Sequence, residues 1–227
     1  EAPGPGDQRL QEFDRAIAAL DRAIELEPDA AAAYQARGEM HFKAGHIRES
    51  IADFDRFLEL RPQREPHHWQ RGISYYYAGE YEKGVRQFEL HKTVNPRDVE
   101  NAVWHYLCKA KVSGPEKARS TLIEISGDGR PWAMTVYRMY RGQVTPRQAL
   151  AEAERTAETP SQRRSNLFYT HLYVGLYHES RGRAEQALEQ IQIAAEEYSS
   201  AHYMGDVARV ALQLAKRGSS SILEQKK

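Results

Sequence analysis

Apolar residues recur along this chain with a helical period, and the helical stretches come in pairs. Between residues 7 and 28, Ala16, Leu20 and Ala23 fall in phase on one face and Pro28 closes the run. Ala118, Leu122 and Ile125 repeat that face further on, and Ala187, Ile191 and Ala194 do so again. Spacings of three and four put side chains on one stripe of an α-helix. No stretch alternates with period two over strand length, so the pattern predicts essentially no sheet.

The breaks between these runs are themselves periodic. Pro28, Pro62 and Pro96 stand 34 residues apart, and so do Gly38 and Gly72, Gly45 and Gly79, and Phe54 and Phe88. Each proline ends a helix, because it lacks an N–H and restricts the residue before it. Gly45 and Gly79 fall at the turn inside a pair, where positive φ is needed. Gly38 and Gly72 fall inside a helix, where glycine costs ~1 kcal/mol against alanine. That cost implies close approach of the paired helices at these points. Phe54 and Phe88 are expected to face the following layer.

A period of 34 is the length of the tetratricopeptide helix–turn–helix unit. The predicted fold class is all-α, an α-α superhelix or tetratricopeptide solenoid of about five helix pairs with a capping helix. A single solenoid is expected over 7–217. Residues 1–6 read as a flexible linker and 7–28 as a partial repeat holding only a second helix. Full repeats follow at 31–64 and 65–98, and a degenerate one at 99–130, turning at Ser113-Gly114-Pro115. Residues 132–158 read as a short helix-pair insert, with Thr145 as N-cap and Pro146 in the first helical position. Residues 168–200 return to the repeat, with Gly175 and Gly182 in place. Residues 201–217 form the capping helix, polar at Arg209, Gln213, Lys216 and Arg217, and 218–227 a flexible tail.

The repeats at 31–98 and 168–200 place the chain within the tetratricopeptide superfamily by resemblance. A narrower likeness lies between them. Trp104-His105-Tyr106-Leu107, then Trp132, then Tyr140-Arg141-Gly142-Gln143-Val144-Thr145, then Tyr173-Val174-Gly175-Leu176-Tyr177 follow one another in an order similar to that of the NlpI-like bacterial envelope lipoproteins. This resemblance covers about residues 31–217. It implies a periplasmic adaptor, anchored to the outer membrane by lipid on a cysteine upstream of Glu1. It also implies a homodimer that brings substrates to a protease or to peptidoglycan hydrolases. The superfamily at large suggests an alternative, a cytoplasmic or organellar assembly factor or co-chaperone.

Composition narrows the partners. Lys plus Arg number 32 and Asp plus Glu 32. A neutral chain lacks the basic excess of a nucleic-acid binder and the polybasic run that an anionic membrane attracts. No stretch approaches the ~20 apolar residues of a membrane span. Cys108 is the one cysteine, so no intramolecular disulfide can form. The Pro-Gly opening, Glu1 to Gly6, predicts that a longer chain precedes it.

The expected activity is protein or peptide binding, without catalysis, cofactor or metal. By resemblance, the first helices of the pairs carry the partner-binding groove. It comprises Gln35, Glu39 and Phe42, then Trp69, Ile73, Tyr76 and Tyr77, then Val103, Leu107 and Lys111. Some tetratricopeptide domains clamp a terminal carboxylate with Lys, Asn and Arg there. Gln35, Glu39, Gln70, Trp104 and Lys111 stand in those places here, which excludes that clamp. An aromatic stripe at helical spacing also suits packing between helices, and both readings stand for Trp69, Tyr76 and Tyr77. Trp104 and Trp132 read as packing residues. The orphan helix 7–28 could complete a layer of a second copy, giving a homodimer.

An enzyme reading finds little to stand on. Cys108 lies within a helix with no base near it in sequence, as an inert thiol would. His41 and His46 are expected on different faces, and His67 and His68 point apart. His171 and His178 stand seven residues apart, about 10 Å along a helix and too far to share an ion. Gly127-Asp128-Gly129 lacks the strand before it and the Lys-Ser/Thr after it that a phosphate loop requires, and reads as a turn.

Overall fold

The computed structural model describes residues 5–224. Helices are the regular secondary structure of these residues, and no strand occurs among them. The chain divides into two compact units, Glu1–Val94 and Asn95–Lys227.

Unit 1 holds α1 (Pro5–Leu26), α2 (Ala31–Ala44), α3 (Ile47–Leu60), α4 (Trp69–Tyr77) and α5 (Tyr81–Lys92). Two helix–turn–helix pairs, α2–α3 and α4–α5, follow α1. Gly45 ends α2 at φ 83°, and its N–H reaches the Phe42 carbonyl. Only glycine adopts that left-handed conformation without strain. Pro62 stops α3 and starts a 3-10 turn, Pro62–His67. Pro66 inside that turn delays α4 to Trp69, four residues into the expected repeat. The Nδ1 of His68 then accepts the Arg71 N–H and caps α4.

The interior glycines answer the close approach they imply. A Cβ on Gly38 would lie 2.7 Å from the Phe54 ring, and one on Gly72 2.6 Å from the Phe88 ring. Phe54 and Phe88 therefore pack on the glycine of their own pair, sixteen residues earlier, and the Phe54 ring also meets His68 at the start of the next pair, 4.6 Å between centroids. Gly175 meets Ile191 in the same way, at 2.5 Å.

A second link uses the same offset. Arg37, beside Gly38 on α2, hydrogen-bonds both carboxylate oxygens of Asp53 on α3, at 2.6 and 2.8 Å, and Asp21 on α1 at 2.7 Å. Arg71, beside Gly72 on α4, bonds Gln87 on α5 and Asp55 on α3. Each arginine thus ties its own second helix to the second helix before it. The forked guanidinium suits this task because it donates in two directions from one plane.

Unit 2 departs further from the regular pattern. It holds α6 (Val99–Ser113), α7 (Pro115–Ser120), α8 (Ala133–Tyr140), α9 (Pro146–Arg155), α10 (Pro160–Ser180), α11 (Ala184–Gln192) and α12 (Tyr203–Glu224). The expected second helix through Leu122 and Ile125 ends at Ser120. The segment after it is irregular because other groups take its backbone. The Tyr137 hydroxyl donates to the Ile123 carbonyl and accepts the Ile125 N–H. Helix α10 begins eight residues before the expected repeat, after its cap Thr159. Helix α11 runs into a π-type turn at Ile193–Glu197.

Both expected ends shorten. Pro5 and Gly6 already belong to α1, proline suiting a first helical turn. Helix α12 continues to Glu224, through most of the predicted tail, since Gly218 is followed by no proline to stop it. Residues 1–4 and 225–227 lie outside the described residues.

Thr145 caps α9 as its sequence predicts, with a full capping box to Gln148. Thr145→Ala should cost about 1 kcal/mol. Faster amide exchange confined to the first turn of α9 is the expected readout, and unchanged protection there would count against the cap.

Candidate functional site

The groove expected from sequence separates into two sets of residues. Phe42, Ile73 and Tyr76 in unit 1 are 0, 1 and 4 % exposed. Val103 and Leu107 in unit 2 are fully buried. These five side chains lie in the packed interior and offer no surface to a partner, which corrects their assignment. The Tyr76 ring, for example, meets Tyr77 and Tyr81 edge-on, at 5.2 and 5.8 Å between centroids. Gln35, Glu39, Trp69, Gln70 and Tyr77 are half-buried and Lys111 is exposed. Lys111 forms an ion pair with Glu179 of α10 at 2.9 Å.

The half-buried set in unit 1 is a built polar face. Gln35 and Glu39 stand four apart on α2, one above the other, and Gln70 opens α4 beside them. The Gln35 amide donates to Glu39 at 2.9 Å and to Gln70 at 3.0 Å, and the Gln70 amide donates to the same Glu39 oxygen at 2.9 Å. His68 sets the direction of this ladder. Its Nδ1 accepts the Arg71 N–H, so its Nε2 carries the proton and donates to the Gln35 carbonyl oxygen at 2.8 Å. That turns the Gln35 amide nitrogen toward Glu39 and Gln70. Burial, with Arg71 beside it, lowers the His68 pKa to about 3, which keeps the ring neutral at physiological pH.

Tyr77 closes the aromatic side of the face, its ring 6.0 Å from that of Phe42. The arrangement is a rigid row of amide and carboxylate groups beside aromatic surface. It can hydrogen-bond an extended chain and stack on its side chains.

The residues weighed for catalysis or metal binding sit elsewhere. Cys108 is buried at 0 %, and burial drives its thiol well above the ordinary range. The His41 and His46 rings approach to 5.7 Å between centroids across the Gly45 turn, closer than separate helix faces would allow. Among the described residues, no group of three or more His, Cys, Asp and Glu could hold a metal ion. Among them also, no helix is long and apolar enough to cross a membrane.

Unit 2 carries a polar cluster that sequence reading treated only as a turn. Arg130 donates to Asp98 at 2.6 Å, to Asp128 at 2.5 Å and to Glu100. The guanidinium lies over the Trp132 ring, 5.0 Å from its centroid. Trp132 in turn stacks on Tyr169, with centroids 4.4 Å apart. The legible signal was Asp98, an N-cap residue placed before a helical run.

Comparison with known proteins bears on the fold. A tetratricopeptide-repeat family model matches residues 8–68. A crystal structure of a tetratricopeptide repeat protein from Parabacteroides merdae is similar over 92 % of this chain and 80 % of that one, with 16 % identity and a TM-score of 0.53. No curated protein matches the sequence. The chain has an all-α helical-repeat fold of the tetratricopeptide type.

Proposed function

We infer that this protein is a non-catalytic binding scaffold, and that the partner is a protein segment held against the α2–α4 face of unit 1. One observation carries the reading: Gln35, Glu39 and Gln70 form a preorganised ladder oriented by a neutral, buried His68. A surface whose polar groups are already fixed binds without the entropy cost of ordering them. Gln35, Glu39, Trp69, Gln70 and Tyr77 form the contact surface, with Lys111 a candidate in unit 2. The helical-repeat fold supports a protein-interaction role, since repeats present extended surfaces of first helices.

The finer role follows the sequence resemblance to the NlpI-like lipoproteins. It is an envelope adaptor that works as a homodimer and brings substrates to a protease or a peptidoglycan hydrolase. The half-paired α1 supports self-association, because Leu26 at its end is 88 % exposed.

A Gln70→Ala, Tyr77→Ala double substitution tests the site. Both side chains are half-buried, so the helical circular dichroism should persist while partner affinity falls by about 2 kcal/mol, roughly thirtyfold. Unchanged affinity in a folded variant would move the site off this face.

A further inference from the structure

The excess of carboxylates around Arg130 has a consequence for pH. Three acidic side chains, Asp98, Glu100 and Asp128, converge on one guanidinium. Fully ionised, these four side chains sum to a formal charge of −2. Two of the acids also accept backbone N–H groups. Asp98 accepts the Glu100 N–H and Asp128 accepts the Val99 N–H, both at the start of α6, where the helix dipole favours negative charge. Asp128 also accepts the Arg130 N–H. Glu100 bonds Arg130 and accepts the Tyr173 hydroxyl at 2.5 Å, deep against α10. It is the member where a proton costs least.

We propose that this cluster is a pH-responsive latch. A proton on Glu100 halves the excess negative charge around Arg130, from two to one, and holds the 121–131 segment onto α6 and α10. Loss of that proton loosens the segment.

The groups facing Glu100 agree. Asp98 faces it from the start of α6, Asp128 and Arg130 from the connecting segment, and Tyr169 and Tyr173 from α10. Burial raises the Glu100 carboxyl to about 7, against the pull of Arg130 and the Tyr173 hydrogen bond. Burial acts on Asp128 in the same sense, but hydrogen bonds from Arg130 and Val99 hold it below the usual carboxylate range. A carboxyl raised on folding adds stability that is full below its unfolded value and is lost as pH rises through its folded value. The latch therefore closes in mild acid and opens as pH passes neutrality. Asp128 keeps it closed until the pH is strongly acidic.

Hydrogen exchange of the full chain at about pH 5.5 and pH 8.5, corrected for intrinsic rates, reads the latch at the Val99, Ile125 and Arg130 amides. Protection there should fall about tenfold at the higher pH. Glu100→Gln, which resembles the protonated acid, should be equally protected at both. Because that variant could fail to fold, the carboxyl carbon of Glu100 should also be followed by NMR in the unchanged chain. Its midpoint should lie near neutrality and move upward in Tyr173→Phe, which removes a donor from the ionised form. Any of three results overturns the latch: a midpoint near that of an ordinary glutamate, equal protection at both pH values in the unchanged chain, or the same pH dependence in Glu100→Gln.

Discussion

Replacing Arg37 by alanine should lower the stability of unit 1 by about 3 kcal/mol, at the lower end for a broken buried pair. Arg37 joins three helices through Asp21 and Asp53, and the Asp53 side chain is 6 % exposed. Its removal leaves that carboxylate in the α2–α3 interior with His41, at 3.8 Å, as the nearest cation when protonated. Part of the loss is exposure of Asp53 to low dielectric without its fork. Arg37→Lys should recover less than half, because an ammonium cannot bond both Asp53 oxygens and Asp21 in one plane. Replacing Arg37 and Asp53 together by Met and Leu should cost much less than Arg37→Ala alone, since no orphan charge remains. Denaturant melts of the three variants check this. A double variant as unstable as Arg37→Ala would contradict the orphan-charge explanation, because the methionine keeps the packing of the arginine stem and no unpaired charge remains.

Gly72→Ala should destabilise unit 1 by about 2 kcal/mol despite the better helix former. The added methyl would sit 2.6 Å from one Phe88 ring carbon and 2.9 Å from another, and Phe88 is 1 % exposed. A ring enclosed on all sides cannot turn away without shifting α5. The intrinsic gain of alanine over glycine, ~1 kcal/mol, offsets only part of that overlap. Gly72→Ala combined with Phe88→Leu should regain some of the loss, because the smaller side chain vacates the contact. Gly129→Ala is the control, as nothing lies within 4 Å of its added Cβ. Thermal melts that rank Gly72→Ala at or above the unchanged chain would refute the close-approach account.

These two contacts show what the sequence made legible. The glycines at 38 and 72 and the prolines at 28, 62 and 96 are backbone constraints, and backbone constraints repeat with the fold. The Arg37 and Arg71 links repeat at the same step, with Asp21 and Asp55 sixteen residues before and Asp53 and Gln87 sixteen after. They were hidden because Gln87 replaces a carboxylate and because charged residues on helices usually read as solvated faces. The groove was harder still. Helical periodicity reports which residues share a face, not whether that face meets solvent or another helix. Phe42 and Tyr76 thus share the pattern of Gln35 and Tyr77 but lie in the interior. The short α7 had no signal of its own, since its end depends on the Tyr137 hydroxyl arriving from α8.

If the α2–α4 face of unit 1 receives a protein segment, that segment must lie within reach of Tyr77. A photo-reactive phenylalanine analogue at Tyr77 tests it most directly, with the same analogue at Arg48, exposed on α3, as the comparison. In cells that make the protein, the account predicts a discrete protein adduct from position 77, lost when Gln35 and Gln70 are both changed to alanine, and none of that mass from position 48. Equal adducts from both positions, or an adduct at 77 that survives the loss of both glutamines, would contradict it.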